Sequence, residues 1–224
     1  MLIEGFPAGM FETNCYVLAA NEDGPSLIVD PGIDAVAGVE EICSRRRLRP
    51  EAILLTHGHL DHVWSVPALA ETYSIPVYIH PKDRPMLTDP GAGLSGAEFG
   101  FMRDLRLEEP KDVRDLEGGQ TLELAGLSLG VEHTPGHTPG HVIFLLPGVL
   151  LTGDLIFAGS VGRTDFPGGS TGQLLASINA FVLSMPDDTA ILSGHGPETT
   201  VGRERMANPF LRGDVDLGDW GSSR

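Results

Sequence analysis

The stretch Leu54-Leu55-Thr56-His57-Gly58-His59-Leu60-Asp61-His62 constrains this chain more than any other. The apolar run Ala52–Leu55 predicts a short buried strand, and three imidazoles and a carboxylate follow it directly. Neutral imidazole and carboxylate are the donors that zinc, manganese and iron accept. A stiff strand end followed by a tight turn suits ligands that must hold position. His57 and His59 are two apart, so an extended backbone points both to one side, where they can grip one cation. Asp61 and His62 open the apolar-periodic segment Val63, Val66, Leu69, Ala70, which predicts a helix to about Tyr73 and presents both from its first turn. A solvated turn would account for one histidine, but it accounts poorly for this cluster.

The chain has 224 residues, enough for one large domain or two small ones, and 41% are hydrophobic, enough for a sizeable core. Fifteen basic residues stand against 31 acidic ones, a formal net charge of −16. That balance argues against nucleic acid or an anionic membrane as partner, since both demand a basic face. Cys15 and Cys43 are too few for a disulfide framework and are expected as reduced thiols. With no signal-like opening and no apolar run of membrane-spanning length, a soluble, cytoplasmic protein is expected.

Strands are predicted over 13–20 and 26–30, joined by the turn 21–25. Asp34 is placed to cap a helix reaching about Arg47, whose last turn carries Arg45-Arg46-Arg47, a solvated cluster favoured by the helix dipole. A strand Val77–His80 precedes a short helix opened by Pro81, with Lys82 and Arg84 near the surface. His80 is read as a packing residue. Residues 88–101, rich in glycine with two phenylalanines, suit a mobile lid or an irregular connection equally. A hairpin turning at Ala125-Gly126 is predicted next, then strands over 142–146 and 149–152. A helix over 171–185, a strand over 190–192 and a final helix over 198–208 complete the pattern. No linker composition interrupts it. The expectation is a single domain over 1–211 of two packed layers, with a frayed polar tail over 212–224.

Three further segments carry ligand-type residues. In His133-Thr-Pro-Gly-His137-Thr-Pro-Gly-His141 the prolines exclude a regular helix, so the four-residue spacing is no helical stripe, and at most one or two of these histidines can join His57 and His59. Asp154 follows Thr152-Gly153 at a strand end, and His195 follows the last strand in Ser193-Gly194-His195-Gly196. The glycine-rich segment 159–169, which includes Arg163, has no phosphate-loop spacing.

The set His57, His59, Asp61, His62, His137, Asp154 and His195, in this order, resembles the metallo-β-lactamase superfamily. Within it, Thr134-Pro-Gly-His137-Thr-Pro-Gly-His141 and Gly159-Ser-Val-Gly-Arg-Thr-Asp-Phe-Pro-Gly resemble the short bacterial members of the glyoxalase II group, the hydroxyacylglutathione hydrolases. The resemblance implies an αβ/βα sandwich, two face-to-face sheets flanked by helices with metals at one edge. It implies two divalent cations, zinc foremost with iron or manganese as alternatives. The first would be held by His57, His59 and His137, the second by Asp61, His62 and His195, with Asp154 bridging. It further implies hydrolysis of a small thioester such as S-D-lactoylglutathione by a hydroxide shared between the metals, with Asp61 helping to orient it and Arg163 contacting the substrate. His133 and His141 match no ligand position. Persulfide dioxygenases are similar in the same stretches and imply the alternative: one iron held at His57, His137 and Asp154.

Overall fold

The computed structural model describes residues 1–94 and 105–215. Two six-stranded mixed sheets pack face to face. The first runs in spatial order β1 (Leu2–Ala8), β2 (Thr13–Ala19), β3 (Pro25–Val29), β4 (Arg49–Leu54), β5 (Val77–Ile79), β6 (Val113–Asp115). The second has β7 (Thr121–Leu124), β8 (Leu127–His133), β9 (Val142–Leu146), β10 (Val149–Gly153), then β13 (Ala190–Ser193) and β14 (Thr199–Thr200) at the far edge. A small hairpin, β11 (Ile156–Phe157) with β12 (Ser160–Val161), stands apart. No helix among the described residues is long and apolar enough to cross a membrane.

The strand sequences explain the layering. β2 sends Tyr16 and Leu18 to the inter-sheet core, where Leu27, Val29 and Leu54 meet Leu129, Val131 and Phe144. Its alternate residues Cys15, Val17 and Ala19 face α1 (Ala35–Arg46) and α3 (Val66–Tyr73) through Val39, Ile42, Val66 and Leu69. Across the second sheet, Ile143, Leu150 and Ile191 pack on Leu174, Ile178 and Val182 of the helical segment starting at α4 (Thr171–Ser177), and on Val201 of α5 (Val201–Ala207). Both faces of each sheet are covered, so the central strands read as continuous apolar runs rather than alternations. The result is the expected helix–sheet–sheet–helix sandwich. The hairpin turn falls as expected at Ala125 (φ 52°) and Gly126 (φ 72°), the positive pair that a tight two-residue turn requires.

Several elements differ from expectation. The N-terminal strand β1 carries Gly5 and Pro7 and is half-exposed, a pattern without clean alternation; among the described residues it is an edge strand paired with β2. Asp34 occupies the N-cap of α1 in a left-handed conformation (φ 60°) without a side-chain capping bond. The arginine cluster is solvent-facing as expected, and it also makes ion pairs: Arg45 and Arg46 lie 2.6 and 2.5 Å from Glu4 of β1, and Arg47 pairs with Asp23. The helix expected from Asp61 to Tyr73 is two helices, α2 (Leu60–Val63) and α3. Pro67 lies in the first turn of α3, while the Ser65 amide and hydroxyl donate instead to Pro31 and Gly32 carbonyls. The helix expected to Met185 widens into a π-turn over Ile178–Val182, and the last begins as β14 before turning helical. Of the segment 88–101, Pro90–Gly93 form a 3₁₀ turn and 95–101 lie outside the described residues. Arg212 closes α6 (Pro209–Arg212) and pairs with Asp214 at 3.0 Å; 216–224 lie outside the description.

Candidate metal centre

The ligand-type residues sit where strands end, on one edge of the sandwich. β4 delivers His57 and His59, β8 leads to His137, β10 ends at Asp154 and β13 leads to His195. α2 presents Asp61 and His62 from its first turn. Nitrogens of His57, His59 and His137 lie within 4.8 Å of one another, and donor atoms of Asp61, His62 and His195 form a second such group. Asp154 stands between them. Its Oδ1 is 3.3 Å from His62 Nε2, and its Oδ2 is 3.5 Å from His137 Nε2 and 3.6 Å from His195 Nε2. Gly194 makes room for this carboxylate: a Cβ there would lie 2.1 Å from Asp154 Oδ1.

Hydrogen bonds on the far side of the rings set their orientation. His57 Nδ1 is 3.0 Å from Thr56 Oγ1, which itself donates to Asp30 Oδ2 at 2.6 Å, so the imidazole must be the donor in the first contact. His62 Nδ1 reaches Asp30 Oδ2 at 3.1 Å, His137 Nδ1 donates to the Arg163 carbonyl at 2.8 Å, and His195 Nδ1 donates to the Phe11 carbonyl at 3.0 Å. Each bond commits Nδ1 and turns Nε2 toward the cluster, the orientation a metal ligand needs. Among the described residues, Nε2 of His57, His59, His62, His137 and His141 and Oδ1 of Asp154 are buried without a hydrogen-bond partner. Orphaned buried acceptors of this kind are costly unless a ligand satisfies them. These His and Asp clusters fit a dinuclear metal site. Asp30 also comes within 4.8 Å of His57 and His62. Its oxygens, however, take the Thr56 amide and hydroxyl and the His62 N–H, which makes it an orienting group.

Electrostatics follow the same division. Burial, with the neighbouring imidazoles adding to it, holds His57 well below the usual histidine range and His59 at about 3, so both are neutral. Burial also pulls on His62, but the Asp154 and Asp61 carboxylates outweigh it and push its proton affinity well up. Burial would raise Asp61, yet His62 and a hydrogen bond from His195 bring it down to about 2. Asp154 is likewise held low by His62. Both carboxylates are therefore ionised at neutral pH.

The centre opens into a cavity of about 320 Å³. Its walls include Phe11, Leu60, Leu94, Phe157, Val161 and Phe166, with Ser160 and Arg163 as polar members. The Phe166 ring stands edge-on to His59 at 5.4 Å, and Phe157 flanks His195 at 6.1 Å. Arg163 lies 3.8 Å over the Phe166 ring, and its Nε and Nη2 each donate to Asp165 at 2.7 Å. The structure thus brings all seven proposed ligands to one centre and places Arg163 on its wall. His133 and His80 lie outside, stacked on each other at 4.3 Å, with His133 Nε2 donating to the Pro139 carbonyl. His141 Nδ1 contacts Thr134 Oγ1 at 2.9 Å and its ring is 5.3 Å from His57. Sequence reasoning missed Asp30, Thr13, which donates to Asp61 at 3.2 Å, and Asn14, whose amide holds the Ser193 and Gly196 carbonyls beside His195. A strand-ending Asp30-Pro31-Gly32 reads locally as a turn; nothing in it signals a histidine partner.

Fold and site together define a metallo-hydrolase scaffold. A sequence model of the metallo-beta-lactamase superfamily matches residues 8–195, and the chain belongs to that superfamily of metal-dependent hydrolases. Hydroxyacylglutathione hydrolase GloC of Haemophilus influenzae is 36% identical over 214 residues, covering 94% of this chain and 98% of its own. Among solved structures, the BLEG-1 B3 metallo-beta-lactamase is 43% identical with a TM-score of 0.85, over 94% of this chain and 99% of its own. TTHA1623, crystallised in a di-iron-bound form, is 40% identical with a TM-score of 0.78, over 93% of this chain and 100% of its own.

Proposed function

We propose that this chain is a thioester hydrolase of the hydroxyacylglutathione hydrolase type, acting in the cytoplasm on a small acyl-thiol such as S-D-lactoylglutathione with two divalent cations, zinc foremost. The observation that carries the reading is the convergence of two three-residue donor groups on Asp154 at the floor of a cavity. His57, His59 and His137 would hold one cation, Asp61, His62 and His195 the other, and Asp154 would touch both. Such a pair supplies Lewis acidity and brings the pKa of a water from that of the bulk to near neutrality.

The chain's own residues supply the rest. Asp61, ionised and steadied by Thr13, can accept a proton-sharing contact from the attacking water. The apolar walls keep other water away from the carbonyl. A thiol leaves as its anion near neutral pH, since its ordinary pKa is about 8.5. No general acid is then required, which suits a cavity whose titratable lining, among the described residues, is the cluster groups and Arg163. Arg163, stacked on Phe166, would meet the thiol carrier. Cys15 and Cys43 are free thiols buried away from the cavity, which fits a reducing compartment and excludes them as nucleophiles.

The test is a panel on metal-loaded protein: S-D-lactoylglutathione and simple acyl thioesters, a β-lactam, and glutathione persulfide with oxygen uptake recorded. Thioester turnover without oxygen consumption is expected. Oxygen uptake with the persulfide, or β-lactam turnover, and no thioester cleavage would overturn the proposal.

A further inference from the structure

Asp83 lies in the turn after β5 and belongs to neither cluster, yet it is fully buried. Its Oδ2 accepts from the Gly58 amide at 3.1 Å and from the Thr138 hydroxyl at 2.5 Å, and its Oδ1 accepts from the Gly140 amide at 2.7 Å. Gly58 lies between His57 and His59, and Thr138 follows His137. One carboxylate thus clasps the two loops that carry all three residues of the first group, joining Thr138 across 55 positions of sequence. The loops pack directly on it: a Cβ at Gly140 would lie 2.5 Å from Asp83 Oδ1, and one at Gly58 2.8 Å from the Asp83 carbonyl. The second group is held by other means, His62 through Asp30, His195 through the Phe11 carbonyl, and Asp61 through Thr13.

We propose that Asp83 is a positioning residue for the first cation only, fixing the spacing of the His57–His59 turn against His137 and so setting the affinity of that position independently of the other. The proposal rests on the reading of His57, His59 and His137 as one cation's ligands. The isosteric amide makes a sharp probe. In either orientation of Asp83→Asn, an N–H₂ confronts a backbone amide, Gly140 in one and Gly58 in the other, and one clasp must open. Thr138→Val is the milder companion, because it removes one donor and leaves both backbone contacts.

The experiment strips the protein of metal, then titrates zinc against chelators of graded affinity in wild type, both variants, and each variant combined with Asp61→Ala. Apoprotein melting is followed alongside. Asp83→Asn is expected to weaken one binding event about 10–100-fold, the range for groups that orient ligands, and to leave the other within about twofold. Thr138→Val should weaken the same event several-fold. The weakened event should be the one that survives in the Asp61→Ala background. Equal weakening of both events, or neither, overturns the proposal; if Asp83→Asn does not fold, an unchanged zinc affinity in Thr138→Val does so. Fewer than two binding events in wild type would instead refute the two-cation reading beneath it.

Discussion

Replacing Asp154 by asparagine tests the centre most directly. The change keeps size and one acceptor oxygen and removes the charge of the carboxylate that faces both groups. Asp154 oxygens lie 3.3 Å from His62 Nε2, 3.5 Å from His137 Nε2 and 3.6 Å from His195 Nε2, so a cation held by either group sits within contact range of that charge. Two unit charges about 4 Å apart interact by about 4 kcal/mol at an effective dielectric near 20. That scale, about 4 kcal/mol, is equivalent to about three decades in affinity at 1.4 kcal/mol per decade. Both metals should weaken together, with content after dialysis against a mild chelator falling from about two equivalents toward none. Asp61→Ala provides the contrast. Asp61 touches His195 at 3.2 Å and His62 at 3.7 Å but belongs to the second group only, so content should fall from about two to about one. Elemental analysis and chelator competition read both. Two equivalents at wild-type affinity in Asp154→Asn would refute the bridging role. One equivalent of iron in both wild type and Asp61→Ala would refute the two-cation model.

Four further outcomes are open to test. Arg163→Ala should raise KM more than it lowers kcat for an anionic thioester, by about 1.5–3 kcal/mol, as for a hydrogen bond to a charged group; an unchanged KM would refute the substrate contact. Buried Glu204 accepts from the Gly159 amide, Thr199 hydroxyl and Asn208 amide, so Glu204→Ala should cost on the order of 3 kcal/mol in urea unfolding. Glu204→Gln should cost far less, because the Thr199 hydroxyl can turn to accept; equal losses would refute that account. Burial pushes the Cys43 thiol to about 11 and Cys15 well above its ordinary range, so a thiol reagent at pH 8 should find neither until denaturant is added. Burial, with His133 and Lys82, pulls His80 down to about 4, while the unfolded chain takes up that proton near pH 6.5. The unfolded state then binds more protons between those values, so metal-free stability falls as pH drops from 6.5 toward 4, and His80→Gln should flatten the decline; an identical slope would refute it.

The local stretches of sequence determined the chemistry. His57, His59, Asp61 and His62 are legible because their spacing and their position after an apolar run fix which way they point. The central strands are legible because covering both faces of a sheet demands unbroken runs such as Ala52–Leu55. The turn at Ala125-Gly126 is legible because a glycine, which takes positive φ freely, stands between two strand-like runs. Where neighbours in space decide, local pattern was silent or misleading. β1 is a strand because β2 offers it a partner edge, not because Leu2–Ala8 alternates. The helix after Asp61 breaks because Ser65 finds the Pro31 and Gly32 carbonyls. Asp30 reads locally as a turn residue and Asp83 carries no signal between Lys82 and Arg84, yet both are buried and hold the histidine loops. Those roles depend on which strand ends lie side by side: β3 parallel to β4, β4 to β5, and β10 to β13. That order is set by burying both faces of both sheets at once, a constraint spread over the whole chain and written in no single stretch of it.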